Sequence, residues 1–295
     1  MKLTLVSCFY KFNNDDSYIL KHNSDKYIEW MTKFLTIVKN FNLVIFTDKL
    51  TYDYICECKL NEIIESKRNK IKIILKEKSN FYCYQYKDYF IGNQPKIKFG
   101  NYDKMSWEMN MIWSEKLNFV SEVITKKFFD TEYYGWCDIG YFRNEPEGDL
   151  SVEDLTEWGN NIKIIDNLRD KNKIIYGSPY SNFSPQEIWT NVVKKGVKFI
   201  IDEKINADNE NYVRSVCGGF FLLHKNKINW WCDKYYSLLY LYVKANGLLC
   251  HDETILSICA ALYPDHFKIV IEPNTKFNDK WRLFQRYLLD GYYNI

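Results

Sequence analysis

The sequence predicts an α/β protein, a central sheet with helices on its faces. Three observations predict it. Short apolar runs of strand length recur along the chain, at Leu3–Tyr10, Asn42–Asp48 and Ile71–Leu75. Segments with apolar residues at helical spacing lie between them. Two apolar runs also end on a single acid, NLVIFTD at Asp48 and YYGWCD at Asp138.

Leu3–Tyr10 is apolar and partly β-branched, and reads as a buried strand ending at Phe9 and Tyr10. Asp25–Phe41 carries Tyr27, Met31, Phe34, Leu35 and Val38 on one helical face. Asn42–Asp48 is a second strand, Tyr52–Lys67 a helix and Ile71–Leu75 a third strand. Through Leu75 the chain therefore alternates strand and helix, which calls for a parallel sheet covered by helices. Phe81–Gly100 reads as a loop over the sheet. Asp103 is placed to cap a long helix reaching Thr125, with Met109, Ile112, Val120 and Val123 on one face. The Asp138 strand comes next, then an acidic, turn-rich stretch, Asn144–Gly159. Further strands are expected at Lys173–Gly177, Val216–His224 and Lys268–Ile271, and helices at Asn229–Val243 and Asp252–Leu262. Asn182–Tyr212 gives only weak helical signals. No repeat or linker divides the 295 residues, so a single domain is expected.

Composition narrows the class. A net charge of +2 with both signs interspersed argues against a dedicated nucleic-acid binder. Nine cysteines at irregular spacing, most in apolar runs, read as reduced thiols of a cytosol-like compartment. Cys56 and Cys58 are too close for a CxxC site, and the sequon at Asn182 is followed by Pro185. The N-terminus lacks a full signal-peptide pattern, and no stretch reaches the ~18 apolar residues of a membrane span, so a soluble, cytoplasmic protein is expected. The 24 tyrosines are spread along the whole chain and rise together with Lys, Asn and Ile, which favours compositional bias over a ligand platform. P-loop, GxGxxG, HExxH and GxSxG patterns do not occur.

The candidate functional residues are few. In open α/β sheets ligands bind beyond the carboxyl ends of the strands, where Tyr10, Asp48 and Asp138 would share one rim. A carboxylate ending so apolar a strand needs a partner. For Asp138 that partner is either a divalent metal or a nearby cation such as Arg143. The acid two residues on, which would strengthen the metal reading, is replaced by Gly140. Asp48 could accept from a base or ribose, or form an Asx turn. Lys116, on the long helix, could meet phosphate charge or simply be solvated. Gly218 and Gly219 allow a close backbone approach or a kink, and His224 reads more readily as structural. Trp230 and Trp231 could offer one face to a sugar, although on a helix at least one of them should be core. In His251-Asp252-Glu253 either acid could act as a general base, or Asp252 could cap the adjoining helix.

Taken together, LTLVSCFY, NLVIFTD, WSEKLNFV, FDTEYYGWCDIGYFR, GGFFLLHKNKINWW and HDETIL resemble the HtrL/YibB family, a group read as glycosyltransferases of surface-glycan loci. The resemblance implies a GT-A-like fold with a mixed central sheet. Residues 1–143 would form the nucleotide-binding half, 144–272 the acceptor half and 273–295 a C-terminal tail. Phe9, Tyr10, Asp48, Lys116 and Asp138 would then face a nucleotide-sugar donor, by default a UDP-sugar. Asp138 would hold Mn²⁺ or Mg²⁺, Gly218, Gly219 and Trp230 would meet a glycan acceptor, and Asp252 or Glu253 would be the base. The family usually has Asn-Pro-Phe before the central strand, where this chain has Lys127-Phe128-Phe129. A nucleotidyltransferase, or a non-catalytic glycan binder on a transferase scaffold, are the competing expectations.

Overall fold

A computed structural model describes residues 2–12, 24–96, 106–143, 150–160, 172–179, 216–244, 252–272 and 280–289. The predicted α/β class is what it shows, with helices on both faces of one seven-stranded mixed sheet. The strands are β1 (Leu3–Cys8), β2 (Asn42–Thr47), β3 (Ile71–Leu75), β4 (Tyr133–Cys137), β5 (Ile174–Ser178), β6 (Phe220–His224) and β7 (Phe267–Ile271). The helices are α1 (Ser24–Ile37), α2 (Lys49–Glu57), α3 (Leu60–Ser66), α4 (Lys87–Asn93), α5 (Trp107–Thr125), α6 (Ile228–Lys244), α7 (Glu253–Leu262) and the short α8 (Phe284–Tyr287).

Spatial order across the sheet is β3-β2-β1-β4-β6-β5-β7. The strands run parallel except β6, which is antiparallel to both β4 and β5. The reversal has a consequence for the rim. Because β6 enters where β4 leaves, Gly219 lies beside Asp138, whose amide donates to the Gly219 carbonyl at 2.9 Å. The carboxyl ends of β1 and β4 and the start of β6 therefore meet at one edge.

Strand side chains divide between two apolar layers with period two. On β1 and β2, Val6, Cys8, Val44 and Phe46 pack on one face with α5, α6 and α7. Leu3, Leu5, Leu43 and Ile45 pack on the other with α1, α2, α3 and the C-terminal segment around Phe284 and Leu288. Burial on both faces explains why these strands read as unbroken apolar runs rather than as alternating ones.

Several expected boundaries move. The single helix expected over Tyr52–Lys67 is two helices, because Lys59 adopts a left-handed conformation (φ 59°) that ends α2 and starts α3. The expected loop after Phe81 contains α4 and 3-10 turns. The cap of α5 is Ser106, whose side chain accepts from the Glu108 amide; Asp103 lies outside the described residues. Asn182–Tyr212 and His251 also lie outside them. Within the described residues no helix is long and apolar enough to cross a membrane, and every cysteine is a free thiol.

Candidate active site

The candidate rim is built around Lys116. Its position on α5 turns it toward the sheet, and its side chain is only 6% exposed. A lone buried ammonium would be costly, and three oxygens compensate it. Its Nζ donates to the Gly218 carbonyl at 2.9 Å, and stands 3.1 Å from Asp252 Oδ2 and 3.3 Å from Asp138 Oδ1. Burial alone would lower the lysine's pKa, but the two carboxylates outweigh it and the pKa is raised, so the ammonium stays charged. Asp252, also 6% exposed, is pushed by burial from 3.8 up to about 6, against the downward pull of Lys116.

Asp138 is different from Asp252 in one respect. Its side chain is 41% exposed. The Trp136 indole donates to its Oδ1 at 2.6 Å, on the same oxygen that faces Lys116. Asp138 Oδ2 is oriented by this pairing and lies against Gly219, where an added Cβ would stand 3.3 Å from it. The turn after β4 closes through the Tyr141 amide, which donates to the Asp138 carbonyl at 2.8 Å.

This carboxylate opens on a cleft of about 440 Å³. Phe9 and Tyr10 from the end of β1 wall one side, and Trp113 and Lys116 of α5 another. Gly219 and Glu253 line it as well. The Glu253 carboxylate accepts from the Gly218 amide at 3.4 Å, which turns it toward the same rim. Cys8 also borders the cleft, but burial pushes its thiol pKa up, so it stays protonated and is no nucleophile.

The structure therefore brings together Phe9, Tyr10, Lys116, Asp138, Gly219 and Glu253. Gly218 and Asp252 sit immediately behind them. An added Cβ at Gly218 would come within 2.8 Å of Asp252 Oδ1, so glycine is what lets that carboxylate reach Lys116. Asp252 occupies the N-cap position of α7 but makes no capping bond; its carboxylate is committed to the lysine instead.

Two expected residues are elsewhere. Asp48 does not line the cleft; 6% exposed, it caps α2 by accepting from the Thr51 amide at 2.8 Å. That is the Asx alternative, favoured because the α2 N-terminus needs an acceptor. Trp230 is not on the cleft either. Its ring stacks on His266, with centroids 4.0 Å apart and planes 14° apart, because α6 and the turn before β7 pack there.

Asp138 is not paired with Arg143 as the local reading allowed. Lys116, twenty-two positions earlier, takes that role, and the Arg143 guanidinium lies 5.7 Å from the Trp30 ring centroid. Tyr27, Arg143, Trp281 and Arg282 all border the cleft, and none was a sequence candidate for it. Only the density of Arg and aromatic residues in the C-terminal stretch KWRLFQRY hinted at the last two.

Asp138 is a one-carboxylate seat at most. Among the described residues no group of three His, Cys, Asp or Glu side chains is gathered for a metal. A hard divalent ion bound with substrate phosphates needs only one or two protein carboxylates, and Asp138 Oδ2 satisfies that minimum.

Comparison with solved structures gives remote similarities. Mouse xyloside xylosyltransferase 1, in its apo form, is similar at 10% identity and a TM-score of 0.46, over 92% of this chain and 86% of that one. The galactosyltransferase LgtC in complex with donor and acceptor sugar analogs is similar at 12% identity and 0.41, over 95% and 83%. The 4-diphosphocytidyl-2C-methyl-D-erythritol synthase of Anaerococcus prevotii DSM 20548 is similar at 13% and 0.39, over 97% and 96%. Likenesses scoring below 0.5 are too remote to assign a function. No curated protein sequence matches the chain. Residues 1–161, more than half of the chain and including β1 to β4 with Asp138, match the family described as "Bacterial protein of unknown function (HtrL_YibB)", and the protein belongs to that family.

Proposed function

We propose that the protein is a glycosyltransferase of GT-A-like build, moving a sugar from a nucleotide-sugar donor, by default a UDP-sugar, to a hydroxyl of a glycan acceptor. One observation carries the reading: Asp138 and Glu253, from opposite halves of the chain, open on the same cleft at the carboxyl edge of the sheet. A transferase needs one group near the donor phosphates and a separate proton acceptor near the incoming hydroxyl.

Exposure supports the following roles. Phe9 and Tyr10 line the cleft and are assigned to the donor. Asp138 presents Oδ2 where Mn²⁺ or Mg²⁺ would bind together with donor phosphates; such an ion supplies positive charge to the departing diphosphate. Glu253 is the base in preference to Asp252, because Asp252 is buried against Lys116 whereas Glu253 reaches the cleft. For inversion, the acceptor hydroxyl gives its proton to Glu253 as its oxygen bonds to the anomeric carbon. The bond from that carbon to the phosphate oxygen breaks, and its electron pair leaves with the nucleoside diphosphate. Lys116 and Asp252 position Asp138 and the β6 entry; Gly219 lies on the acceptor side.

The test is nucleoside-diphosphate release from UDP-, GDP- and dTDP-sugars, and nucleoside-monophosphate release from CMP-sugars, with oligosaccharide acceptors and Mn²⁺. Glu253→Gln should lower turnover by about 10²- to 10⁴-fold. Undiminished turnover in Asp138→Ala or in Glu253→Gln would remove the role assigned to that residue.

A further inference from the structure

We infer that Arg143 and Arg282 together form a cationic grip for the diphosphate of the donor, a reading that rests on the proposed transferase function. Both residues line the cleft that holds Asp138. They come from segments more than a hundred residues apart, which Tyr141 fastens together. Its hydroxyl accepts from the Phe284 amide at 3.2 Å, and its carbonyl accepts from the Gln285 side-chain amide at 2.8 Å. Tyr141 itself belongs to the turn that runs from Asp138 to Arg143. The Arg282 segment is also tied to the end of β7 by the Arg286–Glu272 ion pair, at 2.7 Å between side chains that are 1% and 0% exposed. The Trp158 indole holds the same segment from the 150–160 stretch, donating to the Phe284 carbonyl at 2.9 Å. Arg282, 4% exposed, is thus held rigidly at the cleft wall.

The charge of the cleft points the same way. Its lining carries Lys11, Lys116, Arg143 and Arg282 against Asp138 and Glu253, so cations outnumber acids on the described walls. Lys116 is drawn to Asp138 and Asp252, and the Lys11 ammonium stands 4.0 Å over the Tyr54 ring. The two arginines differ from these lysines in geometry. A planar guanidinium matches two phosphate oxygens at once and is preorganised for them; Arg282 is buried in the wall and Arg143 half-buried at its edge. With a single carboxylate available to a metal, a diphosphate here gains from protein-borne cations.

The test is calorimetric binding of UDP, GDP and inorganic pyrophosphate to the full chain, each with Mn²⁺ and with EDTA, with uridine as the phosphate-free control. Arg143→Ala and Arg282→Ala should each weaken pyrophosphate and nucleoside-diphosphate binding by about 10- to 100-fold, in EDTA as well as in Mn²⁺, and leave uridine binding unchanged. Arg143→Lys should recover only part of the loss. Should Arg282→Ala fail to fold by near-ultraviolet circular dichroism, Arg143→Ala decides alone. Wild-type affinity for pyrophosphate and diphosphates in a folded Arg143→Ala protein overturns the grip while leaving the transferase reading standing. If the wild-type protein binds none of the diphosphates, the grip falls, while the turnover assay with all four donor classes decides the transferase reading separately.

Discussion

The Lys116 ammonium lies 3.1 Å from Asp252 Oδ2, and each of the two side chains is 6% exposed. The pair joins α5 to the start of α7 and, through the 2.9 Å bond to the Gly218 carbonyl, to the entry of β6. Removing the lysine leaves a buried carboxylate without its cation. Lys116→Met should therefore cost about 3–5 kcal/mol in urea unfolding. Adding Asp252→Asn to it should restore part of that loss, since the uncompensated charge is gone; a double variant no more stable than the single one would contradict the account.

The raised pKa of Asp252 fixes a pH dependence. Its folded value of about 6 exceeds the ordinary 3.8, so in that interval the folded state binds more protons than the unfolded one. Its contribution is fully present below 3.8 and is lost as pH rises through about 6. Wild type should accordingly lose stability relative to Asp252→Asn between about pH 4 and pH 7. Parallel stability curves for the two proteins across that window would show that Asp252 does not titrate in it.

Gly218 and Gly92 make a contrast. A Cβ at Gly218 would stand 2.8 Å from Asp252 Oδ1, whereas one at Gly92, within α4, meets nothing within 4 Å. Gly218→Ala should destabilise by about 1–3 kcal/mol through overpacking, and Gly92→Ala should be neutral or stabilise by up to about 1 kcal/mol through helix propensity. Denaturation midpoints at constant slope measure both.

Arg286 and Glu272 are a second buried pair, tying the C-terminal segment to the end of β7. Arg286→Met leaves Glu272 buried without its guanidinium and should cost about 3–5 kcal/mol. It should also loosen Trp281 and Arg282 at the cleft. The expected readout is weaker nucleoside-diphosphate binding, together with faster amide exchange over 280–289. Unchanged exchange there would mean that other contacts hold the segment.

The strands were legible because each is a short apolar run, those in the middle of the sheet buried on both faces and the edge strands β3 and β7 only in part, and β1 to β3 fall at the positions their composition predicts. The α2–α3 break was not legible. Lys59 takes a left-handed conformation that a lysine side chain does not announce. The partner of Asp252 was not legible for a related reason. Beside a helix start, an aspartate has the local signature of a cap, yet its carboxylate answers to a lysine 136 positions earlier. Asp48 has the same signature and does cap its helix. The two acids are alike in their neighbours along the chain and differ only in what the fold sets opposite them.

By itself, the sequence determined the alternation of strand and helix, the placing of Asp138 at a strand end, and the family to which residues 1–161 belong. Periodicity and burial are properties of a few neighbouring residues, so they can be read along the chain. Tertiary structure alone decided that β6 runs against its neighbours, that Lys116 is the cation between Asp138 and Asp252, and that Arg282 returns to the cleft wall. Those are ion pairs and approaches between segments far apart in sequence. A buried charge takes whichever partner the packed sheet and helices bring within about 3 Å, and no local pattern records that choice.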